Sequence, residues 1–194
     1  MELKIVQAGD PVLRKRSREL TKDEISSPQI QELIELMRVT MREAPGVGLA
    51  APQVGVSIQL AVIEDPAQYL AHLSAEQLEQ TGRSAVPFHV IINPKLTFLD
   101  NNSAQFFEGC LSVEGYQAIV DRALNVLVEC LNEHGKKIIL KAHGWYARIL
   151  QHEIDHLNGI IYIDRMKTRT LTTGENMLQY WNNKSIEQVL TELE

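Results

Sequence analysis

His152 and His156 enclose the segment His-Glu-Ile-Asp-His, whose residue types and spacing suit metal chemistry. On an α-helix, residues four apart are separated by about 40° around the axis and about 6 Å along it, so both imidazoles can reach one ion. Glu153 lies at the edge of the same face, where it can act as a general base on a water molecule without being a ligand. The motif therefore predicts a catalytic metal centre.

A catalytic centre of this kind needs a third protein ligand. An extended motif with a third histidine is excluded, because Tyr162 stands where that histidine would be. Cys110 is the better candidate, since Gly109 leaves space beside its sulfur and a thiolate with two imidazoles leaves a fourth position open for water. Glu175 is the alternative, as in metallopeptidases that use two histidines and a glutamate. A third interpretation is a protein whose ion only stabilises the fold.

Two acidic residues near these candidates need partners of their own. Glu108 precedes Cys110 by two residues, and Arg122 is its expected partner because a buried acid is costly without a cation. Asp155, inside the motif, is expected to orient a neighbouring side chain that lies just outside the ligands. The second cysteine, Cys130, continues the alternation of apolar residues along a predicted strand and is expected in the core.

Capping residues and hydrophobic periodicity predict three main helices. The first begins where Ser27 can cap and Pro28 takes the first helical position, and Pro45 ends it. The second, from about Gly144 to Asn158, carries the metal-binding motif. The last begins at Ser185, where the sequence has the pattern of a capping box.

All the predicted strands precede the motif helix. The strand-like segments are residues 57–64, 89–93 and 117–121, followed by a hairpin with strands at 124–131 and 136–141. Residues 65–87 are polar and are interpreted as a surface insertion with one short helix between Ser74 and Gly82. Because strands and helices segregate along the chain instead of alternating, the predicted class is α+β with mainly antiparallel pairing.

Length and composition limit the classes of protein that this chain can represent. With 194 residues, of which 44% are hydrophobic and 23% charged, it is expected to form one catalytic domain, residues 1–194. The net charge of -6 argues against a general nucleic-acid binder, and no apolar run approaches the roughly 18 residues of a membrane span. Two cysteines and an N-terminus without signal-peptide features indicate a reducing, cytoplasmic compartment.

Three segments together resemble the signature motifs of the peptide deformylase family: Gly46–Gln53, Glu108–Ser112 and His152–Gly159, in the family's order and at similar spacing. Two features resemble those of the subclass that includes organellar enzymes. One is Glu114, at a position where many bacterial members carry proline, and the other is the 65–87 insertion. The resemblance implies antiparallel sheets packed around a central helix that carries the His-Glu-x-x-His motif. The N-terminal and C-terminal helices predicted from the capping signals complete the expected fold.

The resemblance also implies an activity. Enzymes of this family are metal-dependent hydrolases that remove the formyl group from the N-terminal formylmethionine of newly made polypeptides and release formate, with a metal-bound water attacking the formyl carbon. Glu153 would move the proton, while the side-chain amide of Gln53 and the backbone N–H of Leu111 would stabilise the oxyanion.

One divalent metal ion per chain is expected, with Cys110, His152 and His156 as its ligands. Thiolate and imidazole ligands suit zinc, ferrous iron and nickel about equally. The resemblance favours Fe2+ in the cell, with Zn2+ or Ni2+ as substitutes.

Substrate selectivity is expected from the same helix. Trp145 and Ile149 precede His152 by seven and three residues, so they share its face and can line an apolar pocket for the methionine side chain. By resemblance, the segment with Val47 and Gly48 runs beside the peptide and offers backbone hydrogen bonds. The complete set of expected substrate-binding residues is Val47, Gly48, Gly109, Trp145 and Ile149.

The expected partners are N-formylmethionyl nascent peptides, without specific nucleic-acid binding and without membrane binding. Some members of the family are thought to dock on the ribosome through a basic C-terminal helix. Here that end carries Glu187, Glu192 and Glu194 against Lys184. A transient ribosome association is therefore compatible with the sequence, but not through a basic C-terminal helix.

Overall fold

The computed structural model describes residues 3–193. The strands are β1 (Gly48–Ala50), β2 (Leu60–Asp65), β3 (Val86–Phe98), β4 (Ser103–Cys110), β5 (Val113–Ala123), β6 (Asn125–Leu131), β7 (Lys137–His143) and β8 (Thr172–Thr173). The α-helices are α1 (Lys22–Ile25), α2 (Pro28–Glu43), α3 (Ala67–Leu70), α4 (Ala75–Thr81), α5 (Gly144–Leu157), α6 (Gly174–Asn176) and α7 (Ile186–Leu193). Within these residues, no helix has both the length and the apolar character that crossing a membrane requires.

The strands form two sheets whose ladders are antiparallel. Five strands lie in the order β1-β2-β3-β6-β7, and β4, β5 and β8 form a smaller sheet. The motif helix α5 contacts strands of both sheets, while α2 and α7 lie towards the two ends of the chain. This arrangement confirms the predicted α+β class with a central helix that carries the motif.

The five-stranded sheet lies between two helices, and the side chains of β2 alternate accordingly. Ile63 packs in the same core cluster as Leu150 of α5. Its neighbour Val62 packs in the cluster that contains Met37 of α2. All four side chains are fully buried. Because successive residues of a strand point to opposite faces, this alternation fixes the register of β2 between the two helices.

The capping signals in the sequence correspond to real helix ends. Ser27 accepts a hydrogen bond from the Ile30 backbone N–H at the start of α2. Ser185 and Gln188 exchange two hydrogen bonds, of 2.8 and 3.2 Å, ahead of α7. The motif helix ends at Leu157, one residue before the predicted boundary. Local sequence therefore determines these helix boundaries.

Three expectations about strands were wrong. Strand β4 was not predicted, because its mixture of polar and partly exposed residues has no regular apolar alternation. Strand β8 follows the motif helix, and its two residues are strand only because they pair with Tyr116 and Gln117 of β5. Strand β2 begins three residues later than predicted, since Ile58 forms only an isolated bridge with Arg18.

The predicted surface insertion is real but shorter than expected. Asp65 is the last residue of β2, is fully buried, and is paired in the ladder with Val86 of β3. The insertion therefore comprises residues 66–85, which connect these two strands and contain α3 and α4. Helix α4 is capped by Ser74 and ends at Gly82, as predicted.

Gly144, the first residue of α5, fits its position only without a side chain. Its φ of +60° is unfavourable for other residues, and a Cβ would lie 2.8 Å from the Thr81 carbonyl oxygen and 2.9 Å from that of Gly82. We expect Gly144→Ala to lower the free energy of unfolding by about 3 kcal/mol, measured by urea denaturation.

Gly135→Ala is the matched control. Its φ of +70° is similar, but nothing lies within 4 Å of the added Cβ. The expected loss is therefore only about 1 kcal/mol, from backbone strain alone. Equal losses in the two variants would contradict the steric argument.

Candidate metal centre

Cys110, at the end of β4, lies beside the two histidines of the motif on α5. The potential ligand atoms of Cys110, His152 and His156 all lie within 4.8 Å of one another. The Cys110 Sγ is 3.3 Å from the His156 Nε2, close to the separation of about 3.5 Å that tetrahedral zinc coordination gives a sulfur and a nitrogen ligand. One thiolate and two imidazoles therefore fit a borderline divalent ion such as zinc, ferrous iron or nickel.

Glu175, the alternative third ligand, lies elsewhere. Its side chain is exposed in α6, just after Thr173 pairs with Tyr116. Within residues 3–193, the cluster of potential metal ligands comprises Cys110 and the two histidines and does not include Glu175. The ligand set of a two-histidine, one-glutamate metallopeptidase is thus not assembled here.

The turn after β4 presents the Cys110 sulfur. The β4–β5 register shifts between Gly109 and Cys110, so that Cys110 pairs with Val113 across a tight turn. The Ser112 backbone N–H points at Sγ from 3.4 Å, and the Gln53 side-chain amide from 3.5 Å. Both donors stabilise negative charge on the sulfur.

Glu108 orients the first histidine of the motif. Its Oε2 is 3.1 Å from the His152 Nδ1, which leaves the opposite ring nitrogen, Nε2, to face an ion. Arg122 donates two hydrogen bonds of 3.0 Å to the same carboxylate, which confirms the expected pairing. Burial by itself would raise the pKa of Glu108, but hydrogen bonds from His152 and Arg122 outweigh burial and hold that pKa well below its usual range.

One contact of this charge network was not expected from the sequence. Arg148 also donates to Glu108, at 2.6 Å, a contact that was missed because β4 itself was not predicted. Asp155 contacts Arg122 and Arg165, so the neighbour that it orients is Arg122, and it acts on the ligands through that residue. The charge network therefore extends from the metal ligands to the surface through alternating carboxylate and guanidinium groups.

Glu153 is buried against Gly48, the first residue of β1. A Cβ on Gly48 would lie 2.2 Å from the Glu153 Oε1, so only glycine leaves room for this carboxylate. The other oxygen, Oε2, is buried and has no hydrogen-bond partner among residues 3–193. Burial raises the pKa of Glu153 to about 7.

Gln53 is held in one orientation by the backbone. The Ala50 N–H donates to the Gln53 Oε1 at 2.8 Å, so the amide nitrogen must point the other way, towards Cys110 and Ser112. Leu111 lies next to the sulfur, and its carbonyl accepts a hydrogen bond of 2.9 Å from the Gln7 side chain. The Gln53 amide and the Leu111 backbone thus flank the same space.

A cavity of about 820 Å³ opens onto this centre, within the size range of small-ligand sites. Glu153, Gln53 and Cys110 contribute to its lining. The residues expected to bind substrate, Val47, Gly48, Gly109, Trp145 and Ile149, also line it. The structure therefore brings the expected catalytic and substrate-binding residues to one cavity, and His156 lies just behind it.

Comparison with known proteins places the chain in a family. The family model for polypeptide deformylase matches residues 2–171. The chain is 49% identical to peptide deformylase 1A, chloroplastic, of Solanum lycopersicum over 89% of its own length. It is 44% identical to peptide deformylase 3 of Streptomyces avermitilis over 98% of its own length and 83% of that protein. The chain belongs to the polypeptide deformylase family, and its similarity to organellar enzymes agrees with the sequence motifs.

Solved structures support the same assignment. The Met-Ala-Ser-bound class I type b peptide deformylase of Acinetobacter baumannii has a TM-score of 0.75 and 30% identity, with 86% of this chain and 99% of that chain covered. The peptide deformylase of Thermotoga maritima has a TM-score of 0.71 and 34% identity, with 86% of this chain and 99% of that chain covered. The chain spans 62% of the Solanum lycopersicum protein and 64% of the Arabidopsis thaliana protein that it also matches.

Removal of the Glu108 charge tests the network. Glu108→Gln would leave the buried guanidinium groups of Arg122 and Arg148 without their shared counter-charge. We expect the free energy of unfolding to fall by about 3 kcal/mol in urea denaturation. Glu35→Gln is the control, because Glu35 pairs with Arg38 at the surface and is expected to contribute less than about 1 kcal/mol. Similar losses would show that the buried network has no special role in stability.

Proposed function

We propose that this chain is a peptide deformylase, a metal-dependent hydrolase that removes the formyl group from N-formylmethionyl polypeptides and releases formate. The observation that carries the proposal is the pairing of two features beside one cavity: the Cys110, His152 and His156 ligand set, and the partnerless buried oxygen of Glu153. The names of its relatives support the same activity.

Cys110, His152 and His156 would hold one divalent ion, and we propose Fe2+ in the cell with Zn2+ or Ni2+ as substitutes. Three protein ligands, instead of four, are typical of a catalytic centre, because one position stays open. When bound, the ion would lower the pKa of a water molecule and polarise the formyl oxygen.

Glu153 would carry the protons. Since its Oε2 has no hydrogen-bond partner among the described residues, it is available to accept a proton from the attacking water. The same carboxyl can then deliver the proton to the departing methionine nitrogen, which leaves as a neutral amine. Contact with Gly48 holds the carboxylate in place during both steps.

Two N–H donors would stabilise the negative charge that develops on the formyl oxygen. The Gln53 side-chain amide is preorganised by the Ala50 N–H, which fixes its oxygen and so aims its nitrogen at the site. The Leu111 backbone N–H, between Cys110 and Ser112, is the second donor. Because neither group must reorient, their stabilisation is available when the charge forms.

The cavity fits the N-terminal end of an extended peptide. Strand β1, which begins at Gly48, is an edge strand, so its free edge can pair with a peptide laid alongside it. Val47 precedes the strand, its carbonyl accepts the Glu64 N–H at 3.0 Å, and it contributes to the cavity wall. Trp145 and Ile149 offer apolar surface for the methionine side chain. The relative from Acinetobacter baumannii is bound to Met-Ala-Ser, a peptide with the free methionine end that deformylation leaves.

We further propose that residues 1–194 form one catalytic domain that acts on nascent chains in the cytoplasm. Ribosome docking through α7 is not part of this proposal, because α7 carries Glu187 and Glu192, and Lys184 is paired with the latter. Neither specific nucleic-acid binding nor membrane binding is proposed.

The direct test is formate release. Protein purified without oxygen and loaded with Fe2+ is expected to release formate from formyl-Met-Ala-Ser and to leave Met-Ala-Ser. Glu153→Ala is expected to keep its metal content but to lower kcat at least about 100-fold, because proton transfer is lost. An active Glu153→Ala variant would refute the mechanism. Absence of formate release by the parent protein would refute the function.

Cys110→Ser tests the ligand set. We expect this variant to lose most of its metal, measured by elemental analysis, and its activity with it, because serine is a poor ligand for these ions. Glu175→Ala is the control and is expected to match the parent protein in both measurements. A peptidase that used Glu175 as its third ligand would give the opposite pair of results.

A further inference from the structure

The 66–85 insertion is docked on the N-terminal end of α5, next to Trp145. Gly82, which ends α4 with a φ of +58°, comes so close to α5 that a Cβ on it would lie 3.3 Å from the Gly144 Cα. The next residue, Arg83, donates its backbone N–H to the Leu78 carbonyl at 3.1 Å. The C-terminal cap of α4 therefore fixes the backbone position of Arg83.

A buried acidic residue, Asp65, fixes the position of the Arg83 guanidinium. The Arg83 guanidinium donates two hydrogen bonds, of 2.7 and 2.9 Å, to the Asp65 carboxylate. The Asp65 side chain is 0% exposed and that of Arg83 17%. A bidentate pair between planar groups allows little rotation, so the guanidinium is held in a defined plane.

This guanidinium lies over the indole of Trp145. The Arg83 Cζ is 5.2 Å from the ring centroid, within the range of cation–π contacts. Arg148 makes a longer contact of 5.8 Å, and Phe106 meets the indole edge-on at 6.0 Å. Trp145 lines the cavity beside the metal centre.

Packing alone holds the indole in this position. The Trp145 Nε1 is buried and has no hydrogen-bond partner within residues 3–193. A tryptophan without such a bond keeps its ring orientation only through the groups stacked around it. Arg83 is the nearer of the two stacked guanidinium groups, and it is supplied by the insertion.

We propose that Arg83 is a specificity-determining positioning residue: by bracing Trp145, the 66–85 insertion sets the shape of the pocket for the first side chain of the substrate. The inference rests on the proposed function and deepens it. Arg83 contacts Asp65 and Trp145 but no proposed metal ligand and not Glu153. Its loss should therefore weaken substrate binding and selectivity without slowing the chemical step.

Arg83→Met keeps an unbranched apolar side chain and removes the guanidinium. With formyl-Met-Ala-Ser as substrate, we expect KM to rise about three- to tenfold while kcat stays within about twofold of the parent. The preference for formyl-Met-Ala-Ser over formyl-Ala-Ala-Ser should fall by a similar factor. A drop in kcat at unchanged KM, or unchanged selectivity, would overturn the proposal.

Arg42→Met is the matched control. Arg42 also forms a bidentate pair, with Glu64 at 2.7 and 2.9 Å, and also lies over an aromatic ring, that of Phe88. Phe88 does not line the cavity, whereas Trp145 does, so KM and selectivity of Arg42→Met are expected to match the parent. If Arg42→Met changed KM as much as Arg83→Met does, the effect would be a general one and the proposal would be wrong.

Fluorescence provides a readout that does not depend on activity. The chain has two tryptophans, so Trp181→Phe leaves Trp145 as the only one. In that background, Arg83→Met should increase acrylamide quenching of Trp145, whereas Arg42→Met should not. Unchanged quenching would overturn the bracing contact. If the parent protein releases no formate, the proposed function fails and the specificity role fails with it, while the quenching result still reports on the contact.

Arg83→Lys is the second variant in case Arg83→Met folds poorly. Lysine keeps the charge beside Asp65 but has no planar fork to hold over the indole. We expect changes in KM and quenching in the same direction as in Arg83→Met, and smaller. If Arg83→Lys had the same KM and the same quenching as the parent protein, the proposal would be contradicted.

Discussion

The site depends on one buried carboxylate. Glu108 accepts hydrogen bonds from Arg122 and Arg148 and is hydrogen-bonded to the Nδ1 of His152. Strands β4 and β5 and helix α5 therefore meet at a single negative charge. A buried charge is tolerated only when oppositely charged groups and hydrogen-bond donors replace the lost water. The same carboxylate therefore joins the smaller sheet to α5 and determines which nitrogen of His152 can face an ion.

Helix α5 combines packing and chemistry within a few turns. Leu150 and Ile154 are buried in the core cluster that the helix shares with the larger sheet. Between them, His152 and Glu153 face the cavity. Because the core fixes the rotation of the helix about its axis, it also fixes the direction of the functional side chains. Close approach of Gly48 then leaves just enough room for the Glu153 carboxylate.

Short-range patterns predicted much of this arrangement. The spacing of His152 and His156 placed both on one helix face, and Ser27 and Ser185 marked helix starts, because these signals depend on residues within one or two turns. Cys110 was a stronger candidate ligand than Glu175 from its neighbours and from the resemblance to a family. Its distance of 3.3 Å from His156 depends on the β4–β5 turn, which the sequence alone did not predict.

The sequence by itself determined the α+β class, the motif helix and the types of side chain available for chemistry. Only the tertiary structure decided that β4 is a strand, that Arg148 joins Arg122 on Glu108, and that Arg83 stacks on Trp145. The two arginine contacts depend on partners far away in the chain, such as Glu108 and Arg148, which are 40 positions apart. Strand β4 has a nearer partner, β5, but its residues show no apolar alternation and are strand because of that pairing. Periodicity and capping report only on neighbours, whereas a buried charge finds its partner when sheets and helices pack together.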